Sequence, residues 1–196
     1  MKKFTQLSLE KYLEELASDA PVPGGGSVSA TVASLAMGLT QMVGRISLKR
    51  KKKTGLSAEE EKKENERRET LEKIITAVEK AKRDAFQIVN LDPEVYQEVM
   101  GAAPEKMEDA LENSFRLQAD LTFLVVMARE WNASMAGIVK GAIANDLLVA
   151  ANLYEAAFHG AYHTAMINVM YMKNPERKSR AEKALAELKS RFEKKS

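Results

Sequence analysis

The groups in this chain that could do chemistry are few and widely spaced. They are the run Pro21-Val22-Pro23-Gly24-Gly25-Gly26-Ser27, the basic cluster Lys49-Arg50-Lys51-Lys52-Lys53, the carboxylate of Asp146, and the histidines His159 and His163. Three consecutive glycines carry no Cβ to hold a ligand off the backbone, and they reach φ values closed to other residues. At the start of a helix with Ser27 near its N-cap, their free N–H groups and the positive end of the helix dipole suit a carboxylate, a phosphate or a polarised carbonyl. The same run also serves as a tight turn whose glycines let two backbones pack closely. Its spacing matches neither G-x-G-x-x-G nor G-x-x-x-x-G-K-[ST], so no dinucleotide or Walker reading follows.

His159 and His163, the only histidines, are four apart and share one helix face. With no cysteine, no third histidine and no H-E-x-x-H arrangement, the expectation is no metal. His159 is instead an acid/base candidate, because imidazole titrates near neutrality. Asp146, after Ala144-Asn145, caps a helix in one reading and binds a ligand or shuttles a proton in the other. Asp146 and His159 are thirteen positions apart, about 220° around a helix and roughly 20 Å along it. One straight helix therefore cannot bring both into one pocket. Gly26 and Lys49 are separated by 23 positions, on the order of 35 Å of helix. An antiparallel two-fold dimer would bring the glycine turn of one copy beside the basic end of another.

The elements that must position these groups read as all-α, an up-and-down bundle of long helices in a single domain spanning 1–196. Ser8 caps a short helix carrying Leu9, Tyr12, Leu13 and Leu16, and Pro21 stops it. Val28 to Leu48 is a second, small-residue helix expected at the centre of the bundle. Ser57 and Glu60 form a capping box for a third helix, whose first two turns are charged and project into water. Its stripe is Leu71, Ile74, Ile75, Val78, Ala81, Ala85, Ile88 and Val89. Asp92-Pro93-Glu94 reads as the cap, N1 proline and first-turn acid of a short fourth helix. Long helices follow from Glu105 to about Val139 and from Ala144 to Asn174-Pro175, and a charged helix closes the chain.

Thirty Lys and Arg against 28 Asp and Glu, a net charge of +2, give no reason to expect a nucleic-acid partner. The absence of cysteine excludes disulfides and thiolate catalysis and fits a cytoplasmic location. Met1 to Glu10 lacks the apolar core of a signal peptide, and the uncharged stretch from Val28 to Gly44 is punctuated by Ser, Thr and Gln, so no membrane partner is expected.

The segments Leu9-Glu10-Lys11-Tyr12-Leu13 and Leu16-Ala17-Ser18, then P-x-P-G-G-G-S and a small-residue helix ending in lysines, form a specific pattern. It continues with Asp92, Tyr96 and Val99-Met100, then Ala144-Asn145-Asp146 running to Ile167-Asn168-Val169. From Leu7 to about Pro175 the chain resembles the formiminotetrahydrofolate cyclodeaminase / methenyltetrahydrofolate cyclohydrolase family. That family includes stand-alone enzymes and the C-terminal domain of the bifunctional formiminotransferase-cyclodeaminase, and the resemblance of these residues is to that domain and not to the transferase portion. Departures are Gly44-Arg45, Leu117-Gln118, Asn145 where a Ser is expected, and a longer charged insert from Glu59 to Arg68.

The resemblance implies a helical homodimer acting on one-carbon tetrahydrofolates with no cofactor beyond the folate substrate. The activity would be 5-formiminotetrahydrofolate cyclodeaminase or, alternatively, 5,10-methenyltetrahydrofolate cyclohydrolase. The backbone of Gly24, Gly25, Gly26 and Ser27 would grip the folate, and Lys51 and Lys52 would attract its glutamate carboxylates. Asp146 would bond the pterin or move a proton, with His159 as a second acid/base. A non-catalytic helical interaction protein is the other class, suggested by the charged third and last helices, and it predicts no folate binding.

Overall fold

The structure, a computed structural model, describes residues 3–50 and 54–194. Lys51 and Lys52, and with them the ligand contacts expected of these two residues, lie outside the described residues. Local signals start most helices where the sequence places them. The Ser8 hydroxyl accepts the Lys11 N–H at 3.2 Å and opens α1 (Leu9–Leu16). The Ser57/Glu60 box opens α3 (Ala58–Gly101). Asn174 accepts from the N–H groups of Glu176 and Arg177, each at 3.0 Å, ahead of Pro175 at the start of α6 (Pro175–Glu193).

Two boundaries differ from expectation. The glycine helix, α2 (Gly25–Lys49), has Gly24 rather than Ser27 as its N-cap: Gly24 is extended and its carbonyl takes the Val28 N–H at 3.0 Å. The glycines are therefore the first helical turn, with Ser27 inside it. Asp92-Pro93 does not start a new helix, because α3 runs unbroken from Ala58 to Gly101 with Pro93 in its interior. A proline there has no N–H for the carbonyl four residues back, which is that of Val89, and the Ser27 hydroxyl of α2 donates to that oxygen at 3.0 Å. The lost helix bond is thus replaced from a neighbouring helix.

The remaining helices are α4 (Met107–Ala136) and α5 (Asn145–Tyr171), and no strand occurs among the described residues. Helix α2 lies at the centre, its buried face made of Ala30, Ala33, Ala36, Met37 and Val43. Small side chains there allow neighbouring helix axes to come close. Helix α3 runs antiparallel to it, since Ser27 meets Val89 at one end while Arg68 donates to Leu48 O at 2.7 Å at the other. Helix α5 is antiparallel on the opposite flank, and the Thr40 and Tyr154 hydroxyls lie 3.0 Å apart. Helix α4 closes the bundle: Thr40 donates to Asn132 Oδ1 at 2.8 Å, and Asn132 Nδ2 donates to Leu147 O at 2.9 Å. This buried chain of bonds fixes the level of the first turn of α5, and so of Asp146. Burial there pushes the Tyr154 phenol pKa up, keeping it a neutral partner. Helix α6 packs outside, where Phe192 stacks on Phe158 at 3.7 Å and lies under the Arg129 guanidinium at 4.5 Å. The stripe expected on α3 is buried throughout, and the first two turns of α3 are largely exposed.

Candidate functional site

At the start of α2, three helices meet in a polar cluster. The Asp92 carboxyl of α3 accepts the Ser27 N–H at 2.9 Å through Oδ2 and Gln118 Nε2 of α4 at 2.8 Å through Oδ1. It therefore does for α2 what a capping side chain does, but from another helix. The Ser27 hydroxyl, whose proton goes to Val89 O, lies 3.1 Å from the Tyr12 hydroxyl, which makes Tyr12 the donor in that pair. Ser27 and Gln118 are 0% exposed and Asp92 8%. Gly26 is buried and has to be a glycine, because a Cβ there would collide with Asp92 Oδ1 and Gln118 Nε2. Gly25 is exposed and Gly24 half-buried, and neither the Gly25 nor the Gly26 N–H finds an acceptor among the described residues. The glycines thus divide into one that makes room for the Asp92 brace and two that face outward. Gln118 Oε1 is buried without a partner among the described residues.

Burial pushes the Asp92 carboxyl pKa up, against the opposing pull of the Ser27 N–H. A folded-state pKa above the unfolded value means that the native state holds the proton more readily. Asp92 therefore stabilises the fold most at acid pH, and that contribution is lost as pH rises through the folded pKa. The melting temperature of the wild type minus that of Asp92→Asn should accordingly be more favourable near about pH 4.5 than near about pH 7. A difference that is flat or grows with pH, in thermal unfolding followed by circular dichroism, would show that the carboxyl is not desolvated.

The other expected site residues lie elsewhere. Asp146 is in the first turn of α5, half-buried, with no hydrogen bond or ion pair among the described residues. That places it at the Lys49/Arg50 end of α2, where Arg50 Nη1 donates to Lys140 O at 2.7 Å just before α5. It is the length of α2 away from the glycine turn. The His159 side chain is 61% exposed on the outer side of α5, 4.0 Å from Glu155 and edge-on to Phe192 at 6.2 Å. Within one copy Asp146 is thus remote from the glycine turn, whereas His159 lies at the level of the first turns of α2, where Gly25 faces Thr164 and Gly160 faces Ser29, but its ring is turned toward Phe192 of α6. Among the described residues no group of three or more His, Cys, Asp or Glu side chains is placed to hold a metal, and no helix is long and apolar enough to cross a membrane.

Asp92 and Gln118 were not singled out as site residues from the sequence. A signal for Asp92 was present: Ala81, Ala85, Ile88 and Asp92 continue one buried stripe at helical spacing, so the carboxyl had to point inward. Gln118 carries the same signal, since Leu111, Phe115, Gln118, Leu121 and Val125 follow one buried stripe at helical spacing on α4; which side chain it meets depends on α4 crossing α3 at that level. Gly44, which departs from the resembled pattern, lies against Ile75 Cγ1 at 2.8 Å and Met135 Cε at 2.9 Å from an ideal Cβ position. Arg45 beside it is exposed and pairs with Glu79 at 3.2 Å.

Comparison with known proteins accords with this architecture. The formimidoyltransferase-cyclodeaminase of Rattus norvegicus is 26% identical over 178 residues, covering 84% of this chain and 31% of that protein. The Sus scrofa protein of the same name is 27% identical over 174 residues, covering 82% and 30%. The chain therefore spans about 30% of the length of the curated relatives it matches. The crystal structure of formiminotetrahydrofolate cyclodeaminase from Thermotoga maritima shares the fold, with a TM-score of 0.85 at 23% identity over 97% of this chain and 92% of that one. The family profile described as Formiminotransferase-cyclodeaminase matches residues 8–187, nearly the whole bundle including the glycine turn and the first turn of α5, and the chain belongs to that family.

Proposed function

We propose that this chain is a 5-formiminotetrahydrofolate cyclodeaminase. In that reaction N10 attacks the formimino carbon to give a tetrahedral carbon between N5 and N10. The amino group, protonated in turn, then leaves as ammonia with the electrons of its C–N bond, and the N5 lone pair closes the 5,10-methenyl bridge. Such chemistry needs a held pterin, an acceptor for the N10 proton and a donor for the departing nitrogen. The observation that carries the reading is the outward-facing start of α2, where the exposed Gly25 has an N–H unclaimed among the described residues and the turn is braced from beneath by Asp92. Helix N-terminal donors of this kind suit the carbonyl and ring acceptors of a pterin.

The acid/base partner comes, in this reading, from a second copy of the chain. The solvent face of α2 carries Leu35, Met42 and Ile46 exposed, with Gly38 close to the helix midpoint. Its exposed cations, Arg45 and Lys49, lie only in the C-terminal half. An antiparallel two-fold pairing about Gly38 covers this apolar stripe. It sets Asp146 and the basic end of one copy against Gly24 and Gly25 of the other. Asp146 then carries the proton, and Lys51 and Lys52 attract the glutamate carboxylates of the substrate. Asp92 is a positioning residue, acting on the substrate only through the turn.

The test is the appearance of methenyltetrahydrofolate absorbance and of ammonia from 5-formiminotetrahydrofolate, with sedimentation of the same sample. Turnover by a dimer is expected. No absorbance change would remove the function, and turnover by a strict monomer would remove the shared site. Loss of absorbance from added methenyltetrahydrofolate, without ammonia release from the formimino compound, would identify a cyclohydrolase instead.

A further inference from the structure

At the end of the bundle opposite the glycine turn is a cavity of about 410 Å³ between the C-terminus of α2, the start of α3 and the α4–α5 turn. That size falls within the range of small-molecule sites. The charged groups in its wall are Arg50, Lys63, Arg67 and Lys140 against Glu60 and Glu64.

Both acids are already committed. Glu60 accepts from the Ser57 N–H at 2.9 Å and its hydroxyl at 2.8 Å. Glu64 accepts two bonds of 2.7 Å from Arg67, with Arg68 at 3.7 Å, and these cations hold its carboxyl below the usual carboxylate range. The donors are not used up. Lys140 has no side-chain partner among the described residues. Among the described residues Lys63 is held only by exposed Glu59, a surface pair that contributes little. Arg50 has one Nη on Lys140 O and the rest of its fork unclaimed by the described residues. The Ser47 hydroxyl, in the same wall, is buried with no partner among the described residues. A wall with spare cationic donors, a net positive charge and both carboxylates already paired complements neither a cation nor an apolar body.

We infer that this cavity is a binding site for a small organic polyanion, bearing carboxylates or phosphates, separate from the glycine turn of the same copy. Its size exceeds that of a bare oxyanion, so the ligand carries its charges on a larger frame. Two sources share that chemistry: the glutamate tail of a folate, and an independent phosphorylated metabolite. Binding is read without turnover, so this inference stands or falls apart from the proposed activity.

Isothermal titration of the full chain with γ-linked tri-glutamate and, separately, with pyrophosphate distinguishes the sources. At least one probe should bind with a Kd below about 1 mM at low salt. The double variant Lys63→Gln/Lys140→Gln, both exposed side chains, should weaken it about tenfold. Lys183→Gln, on α6 away from the cavity, should leave it unchanged. Preference for tri-glutamate makes the cavity a tail site, and preference for pyrophosphate makes it a site of its own. Failure of both probes to bind, or equal binding by the double variant, overturns the inference.

Discussion

Gly26→Ala is expected to destabilise the protein by about 3 kcal/mol or more, although alanine is the better helix former by about 1 kcal/mol. The new Cβ would occupy the space of Asp92 Oδ1 and Gln118 Nε2. Neither can retreat cheaply, since both lie in a buried junction of α2, α3 and α4. If Asp92 swings away, the Ser27 N–H and the Gln118 amide are both left buried and unpaired, each costing about 1–3 kcal/mol. If it stays, the helices must part, an overpacking cost of similar size. For a chain of this length that corresponds to a fall in melting temperature of roughly 6–12 °C. Gly25→Ala is the control: its Cβ meets only Thr164 Oγ1 at 3.5 Å, an ordinary contact, so it should melt close to the wild type. Equal melting curves for the two alanine variants would mean that Asp92 and Gln118 do not fill the space above Gly26.

The largest effect on activity is expected from Asp146→Asn, which should lower kcat/KM at least about 100-fold if the carboxylate moves a proton. Because Asp146 has no partner among the described residues, melting should shift little. A shared site makes a sharper demand. Gly25→Leu would block the outward turn of one copy while leaving its Asp146 intact. Co-expressed with Asp146→Asn, it forms mixed dimers that contain one site built from the intact turn and the intact carboxylate. Random pairing puts half the dimers in that form with one working site each, so about a quarter of wild-type activity should return where each variant alone is nearly inactive. No recovery in isolated mixed dimers would place Asp146 and the turn in different roles. Unchanged kcat/KM in Asp146→Asn would remove the proton-transfer role outright.

Much of this architecture could be read in advance because it is local. Ser8, the Ser57/Glu60 box and Asn174-Pro175 start helices through bonds that span no more than three residues, and each is present. The α3 stripe from Leu71 to Val89 is buried as its period requires. The Asp92-Pro93 reading failed because its deciding contact is 62 residues away in sequence. Proline after an acid normally marks a helix start, and only the Ser27 hydroxyl, delivered by α2, lets α3 continue through it.

The amino-acid pattern alone settled that this chain is helical, where most helices begin, and that a side-chain-free turn opens the central one. These are matters of dihedral preference and period, which act over a few residues. Only the packed bundle decided that one glycine makes room for a buried carboxyl while its neighbour faces outward, and that Asp146 sits a full helix length from both. Which side chains meet depends on how four long helices cross, and crossing is set by the summed fit of all their faces, not by any short stretch of chain.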